Sequence, residues 1–203
     1  MDPSTTDPAL PSFSVYLHSF STQPRIREAT FGKAQGMDSC EPPLRLAKQS
    51  AGLLLYRAGA SGQTEVLLVH PGGPFWAKKD LGAWSIPKGE HTEDEDPRLA
   101  AVREFVEELG IEPPAAELDH DLGSVRQSGG KVVRCWGRRG SIDVEHITSN
   151  TIEIPWPPRS GKTLVIPEVD RAEWFVLDEA RQRINQAQVA FLDRLVDVIG
   201  LRT

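Results

Sequence analysis

The amino-acid sequence predicts a mixed α/β (α+β) fold, because segments with the pattern of strands alternate with segments that have the pattern of helices. Short apolar runs at 51–56 and 66–70 are bounded by turn residues and predict strands. Residues 97–109 and 178–199 carry apolar side chains at helical spacing. The order of these elements is mixed, and no internal repeat is found.

The length and composition of the chain are typical of one soluble globular domain. The 203 residues include 39% hydrophobic and 26% charged residues, and no window approaches the ~18 to 20 apolar residues of a membrane helix. The net charge of −6 argues against stable nucleic-acid binding, which needs many cationic side chains. We therefore expect one domain at 44–203, without membrane or nucleic-acid partners, and the oligomeric state stays open.

The first 43 residues are expected to form a disordered leader. They are rich in Ser, Thr and Pro, have no sustained apolar period, and lack the apolar region of a secretory signal. Met37 lies shortly before the first apolar segment, so the sequence leaves open whether translation begins at Met1 or at Met37.

Deleting residues 1–43 is expected to leave the melting temperature and any activity of the chain nearly unchanged, because the segment has no apolar pattern to bury. Thermal unfolding and turnover of the full and shortened chains test this. A large drop in the melting temperature of the shortened chain would show that the leader packs on the domain.

The two cysteines, Cys40 and Cys135, are far apart and belong to no metal-binding motif. Neither a disulfide framework nor a zinc site is therefore indicated. A reducing, cytoplasmic location is the expectation.

The runs at 51–56 and 66–70 flank a turn signal at 59–62 and predict a hairpin, which a loop rich in Gly, Pro and Trp follows at 70–82. Further strands are predicted at 118–126, 131–136 and 173–177. The final helical segment is predicted to break near Asn185, and its apolar stripe consists of Val189, Leu192, Leu195, Val196 and Ile199.

The helix predicted at 97–109 has clear boundary signals and an acidic face. Asp96 is a candidate N-cap, Pro97 suits the first helical position, and Gly110 follows the end. A helical projection places Glu104, Glu107 and Glu108 on one side, opposite the apolar residues Leu99, Val102, Val106 and Leu109.

The three glutamates indicate either a solvated acidic face or a cation site. Uncompensated carboxylates at this spacing repel each other by a few tenths of a kcal/mol per pair. Mg²⁺ or Mn²⁺ suits such hard oxygen ligands. The small Ala100 and Ala101 are predicted to leave room beside this face for a loop or ligand.

Residues 89–111, GEHTEDEDPRLAAVREFVEELGI, resemble the Nudix box, Gx5Ex7REUxEExGU, at every defined position. The matching residues are Gly89, Glu95, Arg103, Glu104, Phe105, Glu107, Glu108, Gly110 and Ile111. The resemblance extends over roughly residues 48–200 and implies the family's αβα sandwich with a mixed central sheet. It also implies a Mg²⁺- or Mn²⁺-dependent hydrolase.

The resemblance implies roles for the residues of the box. Glu104, Glu107, Glu108 and the carbonyl of Gly89 correspond to metal ligands, and Arg103 and Glu95 to residues that orient the carboxylates. Arg103 could instead form a simple surface ion pair with Glu107, four residues later.

Glu168 is a further candidate outside the box. In MutT-like members an acid six residues before a Trp contributes to the metal and water site, and Glu168 precedes Trp174 by that spacing. It is expected to be a fourth ligand or the general base. The alternative is that the Glu168 carboxylate only caps backbone N–H groups of its loop. Glu104 could then be the base instead.

Substrate contacts are predicted from basic and aromatic residues in loops. Lys88, Lys79, Arg159 and Lys162, together with Lys78, could bind phosphate, or they could simply be solvated. Candidates for stacking on a nucleobase, with core packing as the alternative, are Phe75, Trp76, Trp136 and Trp156.

The run Trp84–Gly89, WSIPKG, resembles the WxxPKG run of diadenosine tetraphosphate hydrolases and mycobacterial MutT-like enzymes. It implies a nucleoside or dinucleoside polyphosphate substrate, cleaved at a phosphoanhydride bond by water that attacks phosphorus. Trp84 and Pro87 could instead only pack the loop. The competing hypothesis is a catalytically silent Nudix module that binds nucleotides or a protein, but no carboxylate of the box is missing.

Overall fold

A six-stranded mixed sheet forms the centre of the fold in the computed structural model, which describes residues 47–200. The leader predicted at 1–43 lies outside the described residues. The strands are β1 (Gln49–Ala58), β2 (Thr64–Pro71), β3 (Lys88–Glu90), β4 (Asp119–Arg126), β5 (Val132–Arg139), β6 (Thr151–Pro155), β7 (Thr163–Pro167) and β8 (Val169–Val176). The helices are α1 (Pro97–Leu109), α2 (Leu177–Arg183) and α3 (Val189–Val198), and a short 3-10 turn lies at Gln186–Gln188.

The strand order of the sheet is β4-β5-β1-β2-β8, and the short strand β3 also pairs with β1. Strands β1 and β5 are parallel, whereas the other pairs are antiparallel. The register places Ala51 of β1 opposite Gly89 of β3. Strand β1 thereby brings the start of the Nudix-like segment to the middle of the sheet.

Helices cover both faces of this sheet. Leu54 of β1 belongs to a buried cluster that also contains Phe191 and Leu195 of α3. The neighbouring Leu53 faces the opposite side, where its cluster contains Phe105 of α1. Because successive side chains of a strand point to opposite faces, one apolar strand supports two cores. The predicted αβα sandwich with a mixed central sheet is confirmed.

Helix α1 has the boundaries that its sequence predicts. The Asp96 side chain accepts hydrogen bonds from the backbone N–H groups of Arg98 (2.8 Å) and Leu99 (3.1 Å). Pro97 begins the helix, and Gly110 ends it at φ 68°, a conformation that glycine adopts without strain. An N-cap of this kind contributes about 1 kcal/mol to helix stability.

The predicted orientation of α1 is wrong. Leu99 is 68% exposed, and the buried face of the helix consists of Ala100, Ala101, Glu104, Phe105, Glu108 and Leu109. The alanines pack in the core against the sheet and leave no gap for a ligand. Small side chains let the helix axis approach the sheet closely, so two glutamates of the acidic set lie at the seam between helix and sheet.

The hairpin of β6 and β7 is absent from the sequence-based prediction, which assigned only a basic loop at 157–162. The two strands pair in an antiparallel register from Thr151 opposite Pro167 to Pro155 opposite Thr163. The alternation of Ile152 and Ile154 with polar neighbours was the available signal, but proline residues on both sides of the turn obscured it.

The other predicted elements are present, with shifted ends. Strand β8 begins at Val169, four residues before the predicted start, because it pairs with β2 along nearly its whole length. The C-terminal helical segment breaks at Asn185, whose side chain accepts a hydrogen bond from Ala187 N. Within residues 47–200, no helix is long and apolar enough to cross a membrane.

Candidate active site

A cleft of about 380 Å³ lies beside the end of α1 that carries the acidic residues. Its charged lining side chains are Lys88, Glu108 and Glu168. Its apolar lining comes from the sheet, from the loop after β2 and from the β6–β7 hairpin, and includes Val69, Phe75, Trp76, Ile152, Ile154, Ile166 and Val169. One end of the cleft is therefore ionic, and much of its wall is apolar.

Glu108 is the most deeply buried carboxylate of the cleft. One of its oxygens accepts a hydrogen bond from Lys88 N at 3.1 Å, and the side chain is otherwise removed from water. Burial raises the pKa of Glu108 to about 8, against a lowering effect of the nearby Lys88 charge. The negative charges of Glu168 and Glu104 raise this pKa further.

Glu104 lies one turn earlier on α1 and is also buried. Burial raises its pKa, the Arg103 guanidinium opposes that effect, and Glu107 and Glu168 add to it. A Cβ atom at Gly89 would collide with the Glu104 carboxylate, so any larger residue here would force that carboxylate to move. The close approach of β3 and α1 places the Gly89 backbone beside Glu104.

Arg103 connects the acidic residues of the segment. It donates hydrogen bonds to Glu95 (2.9 and 3.1 Å), to Glu104 (2.7 Å), to Glu107 (3.2 Å) and to the Glu90 carbonyl (3.2 Å). The bonds to Arg103 lower the pKa of Glu95. Arg103 therefore does more than form the surface pair with Glu107 that is the alternative to an orienting role, because it also contacts residues on the preceding loop and strand.

Glu168 lies at the junction of β7 and β8, and its backbone fixes its position. Its N–H donates to the Asn150 carbonyl at 2.8 Å, and its own carbonyl accepts from Gly72 N at 3.0 Å. Its side chain lines the cleft with Glu108, although the two residues are 60 positions apart in the chain. The structure thus brings the acid predicted outside the box to the same cleft as the box.

The basic candidates divide into two groups. Lys88 lines the cleft, and Lys79 lies at its aromatic edge, with its Nζ 3.6 Å from the Phe75 ring centroid and 4.7 Å from that of Trp76. Arg159 and Lys162 are exposed near the tip of the β6–β7 hairpin and do not line the cleft. Lys78 is also exposed.

The aromatic candidates are separated in the same way. Phe75 and Trp76 line the cleft, with their rings edge to face at 5.0 Å. Trp136 is buried in the core beneath α1, and Trp156 lies at the end of β6, outside the cleft. Trp84 is fully buried and donates from Nε1 to Asp80 at 2.7 Å, so it anchors the loop after β2.

The burial of two carboxylates in this region fits the binding of a divalent cation. Within residues 47–200, no three acidic, His or Cys side chains converge to hold a metal by themselves. Glu104 and Glu108, however, are two buried carboxylates with raised pKa values, and burial without a matching cation is unfavourable for their charged forms. Two carboxylates, a backbone carbonyl and substrate phosphates are a set of ligands that Mg²⁺ accepts.

The melting temperature of the metal-free protein is expected to fall as the pH rises from about 5 to about 8, relative to that of Glu108→Gln. The pKa of Glu108 is about 8 in the fold and near 4.5 as an ordinary glutamate. Between those values the folded state holds more protons than the unfolded state, so raising the pH destabilises it. Thermal unfolding at several pH values measures the difference.

The control for this measurement is Glu112→Gln, which changes an exposed glutamate just beyond α1. Its melting temperature should follow that of the wild type at each pH. Parallel curves for the wild type and Glu108→Gln would contradict the raised pKa. Added Mg²⁺ should oppose the fall in the wild type, because a cation binds the charged form.

Comparison with known proteins establishes the family. A model of the NUDIX domain matches residues 47–195, and the chain therefore belongs to the Nudix family. The chain is also similar to an RNA pyrophosphohydrolase of Roseobacter denitrificans, with 46% identity over 39 residues. That match covers 19% of this chain and 24% of the relative.

Solved structures agree on the fold. The chain resembles an Ap4A hydrolase binary complex of C. elegans, with a TM-score of 0.54 and 22% identity over 77% of this chain and 100% of that one. It also resembles the NUDIX domain of Shewanella oneidensis NrtR complexed with ADP ribose, with a TM-score of 0.52 and 19% identity. This second likeness covers 79% of this chain and 94% of that one.

Proposed function

We propose that this chain is a divalent-cation-dependent pyrophosphohydrolase that cleaves a phosphoanhydride bond of a nucleoside or dinucleoside polyphosphate. The observation that carries the proposal is one cleft in which Glu108, Glu168 and Lys88 face an aromatic and aliphatic wall. With a divalent cation bound to its carboxylates, the ionic end would have the chemistry for a polyphosphate, and the apolar wall has the chemistry for a nucleoside. The complete Nudix-like box supports catalysis rather than binding alone.

The side chains in and beside the cleft have separate proposed roles in binding phosphate, holding the metal ion and orienting the metal ligands. Lys88 brings a positive charge next to Glu108 and is suited to bind a phosphate oxygen of the substrate. Glu104, Glu107, Glu108 and the Gly89 carbonyl would hold Mg²⁺ or Mn²⁺, and Arg103 orients Glu104 and Glu107. A bound divalent cation neutralises phosphate charge and lowers the pKa of a water molecule.

Glu168 is the proposed general base. It is exposed, lines the cleft and is anchored by its backbone, so its carboxylate can accept a proton from water that attacks phosphorus. Glu104 is less suited to this role because Arg103 binds its carboxylate at 2.7 Å. The guanidinium occupies one of the two carboxylate oxygens that could receive the proton.

A hydrolysis screen tests the proposal directly. The panel contains diadenosine polyphosphates, nucleoside triphosphates, 8-oxo-dGTP, ADP-ribose, NADH and RNA with a 5′-triphosphate, each with and without Mg²⁺, and products are identified by mass. We expect Mg²⁺-dependent cleavage of nucleoside or dinucleoside polyphosphates, at a rate at least about 100-fold lower in Glu108→Gln. Nucleotide binding without cleavage of any member would instead favour a catalytically silent module.

A further inference from the structure

We propose that His70 is a positioning residue for the substrate cleft, which acts by holding the turn at residues 73–79 in place. This segment, here called the aromatic turn, carries Phe75 and Trp76 into the cleft wall. The inference rests on the proposed function, because it assigns to His70 an effect on the affinity for substrate. His70 itself does not line the cleft.

Both ring nitrogens of His70 have hydrogen-bond partners, although the residue is fully buried. Nε2 lies 2.8 Å from the Lys79 carbonyl oxygen, and Nδ1 lies 2.7 Å from an Asp170 carboxylate oxygen. A carbonyl oxygen only accepts, so Nε2 carries a hydrogen and donates it. A hydrogen must also lie between Nδ1 and the carboxylate, and the two bonds together fix the orientation of the ring.

The surroundings of His70 give no other reason for a polar residue there. The three preceding residues of β2, Leu67, Leu68 and Val69, are buried and apolar, and the edge of the ring packs against Trp84 at 5.1 Å. A buried polar side chain is unfavourable unless its hydrogen bonds are made. The two bonds therefore satisfy both ring nitrogens of a histidine that lies among buried apolar residues.

The aromatic turn is a compact unit with an attachment near each end. Inside it, Trp76 N and Ala77 N donate to the Gly73 carbonyl, and Lys79 N donates to the Trp76 carbonyl at 2.7 Å. At one end, Gly72 N donates to the Glu168 carbonyl at 3.0 Å. At the other end, the Lys79 carbonyl accepts from His70, and the next residue, Asp80, accepts from Trp84 Nε1. The His70 bond is the one that holds the backbone of the turn itself, so its loss should let the turn and both aromatic rings move relative to the cleft while Asp80 stays anchored.

His70→Asn and His70→Gln form a matched pair for the test. The Asn amide corresponds to Nδ1 and can reach Asp170, whereas the longer Gln amide corresponds to Nε2 and can reach the Lys79 carbonyl. For the best substrate of the screen, His70→Asn should raise KM at least about fivefold with kcat nearly unchanged. His70→Gln should have nearly the KM of the wild type. The inhibition constant of inorganic tripolyphosphate, which has no base, should stay constant in both variants.

Hydrogen exchange of the backbone amides at 73–79 gives a readout that does not need turnover. It should be faster in His70→Asn than in the wild type and in His70→Gln. If the wild type cleaves nothing but the exchange pattern is as expected, the proposed function is wrong, whereas the role of His70 in holding the aromatic turn is supported. If the wild type is active, an unchanged KM and unchanged exchange in a folded His70→Asn overturn the inference.

A second pair of variants covers the case in which His70→Asn does not fold. Asp170 is partly exposed, and Asp170→Ala removes the partner of Nδ1, whereas Asp170→Asn keeps a polar partner there. Asp170→Ala should raise KM and speed exchange in the aromatic turn, and Asp170→Asn should do neither. Equal losses for the nucleotide and for tripolyphosphate would indicate general structural damage and would overturn the positioning role.

Discussion

Replacing Glu108 or Glu107 by glutamine is expected to lower kcat at least about 100-fold while leaving the fold intact. Each change removes a proposed metal-ligating charge and preserves the size of the side chain. Glu108 faces the cleft, and Glu107 is held by Arg103 beside Glu104. The apolar face of α1, centred on Phe105, is untouched, so chemistry should fail before stability.

Steady-state turnover at saturating Mg²⁺, together with thermal unfolding, measures both parts of this prediction. Glu112→Gln is the matched control, since it makes the same chemical change outside the cleft and should keep wild-type turnover. Near-wild-type kcat in Glu107→Gln or Glu108→Gln would remove that residue from the proposed set of ligands.

Glu168→Gln is expected to lower kcat by about 10² to 10⁴ with little change in KM, because a general base acts in the chemical step rather than in binding. Raising the pH should partly restore the rate, since hydroxide then replaces the water that needs a base. The measurement is kcat as a function of pH for the wild type and the variant.

A structural role for Glu168 predicts a different result. Loss of a backbone cap would lower stability by roughly 1 kcal/mol and leave the pH–rate profile unchanged. Glu153→Gln, which changes an exposed glutamate on β6, is the control for a charge change near the cleft. An undiminished kcat in Glu168→Gln with an unshifted profile would assign the base to Glu104 or another carboxylate of the box.

The features that sequence could predict are those that local chemistry determines. The caps of α1 at Asp96 and Gly110 depend on a side-chain oxygen and on a left-handed φ, and both signals can be read from neighbouring residues. The helix break at Asn185 is equally local. The acidic set of the box follows from fixed spacing, so its members could be identified without coordinates.

The features that sequence could not predict depend on long-range packing. A helical projection gives only the direction of each side chain, and the side with the apolar Leu99 is predicted from it to face the core. In the structure the helix contacts the sheet through Ala100 and Ala101, and Leu99 is exposed to solvent. The contribution of the β6–β7 hairpin to the cleft depends on where a separate two-stranded sheet lies. The partners of His70 are 9 and 100 positions away, and neither has a sequence signature.

The two alanines of α1 have a consequence for protein engineering. They are fully buried, and their small side chains allow the helix axis to lie close to the sheet. Glu104 and Glu108 are thereby held close to β3. A larger residue at Ala100 or Ala101 would push α1 away from the sheet and displace its glutamates from β3. Overpacking of this kind also lowers the free energy of unfolding by about 1 to 3 kcal/mol. Attempts to stabilise the domain by enlarging this core would therefore alter the geometry of the reaction centre.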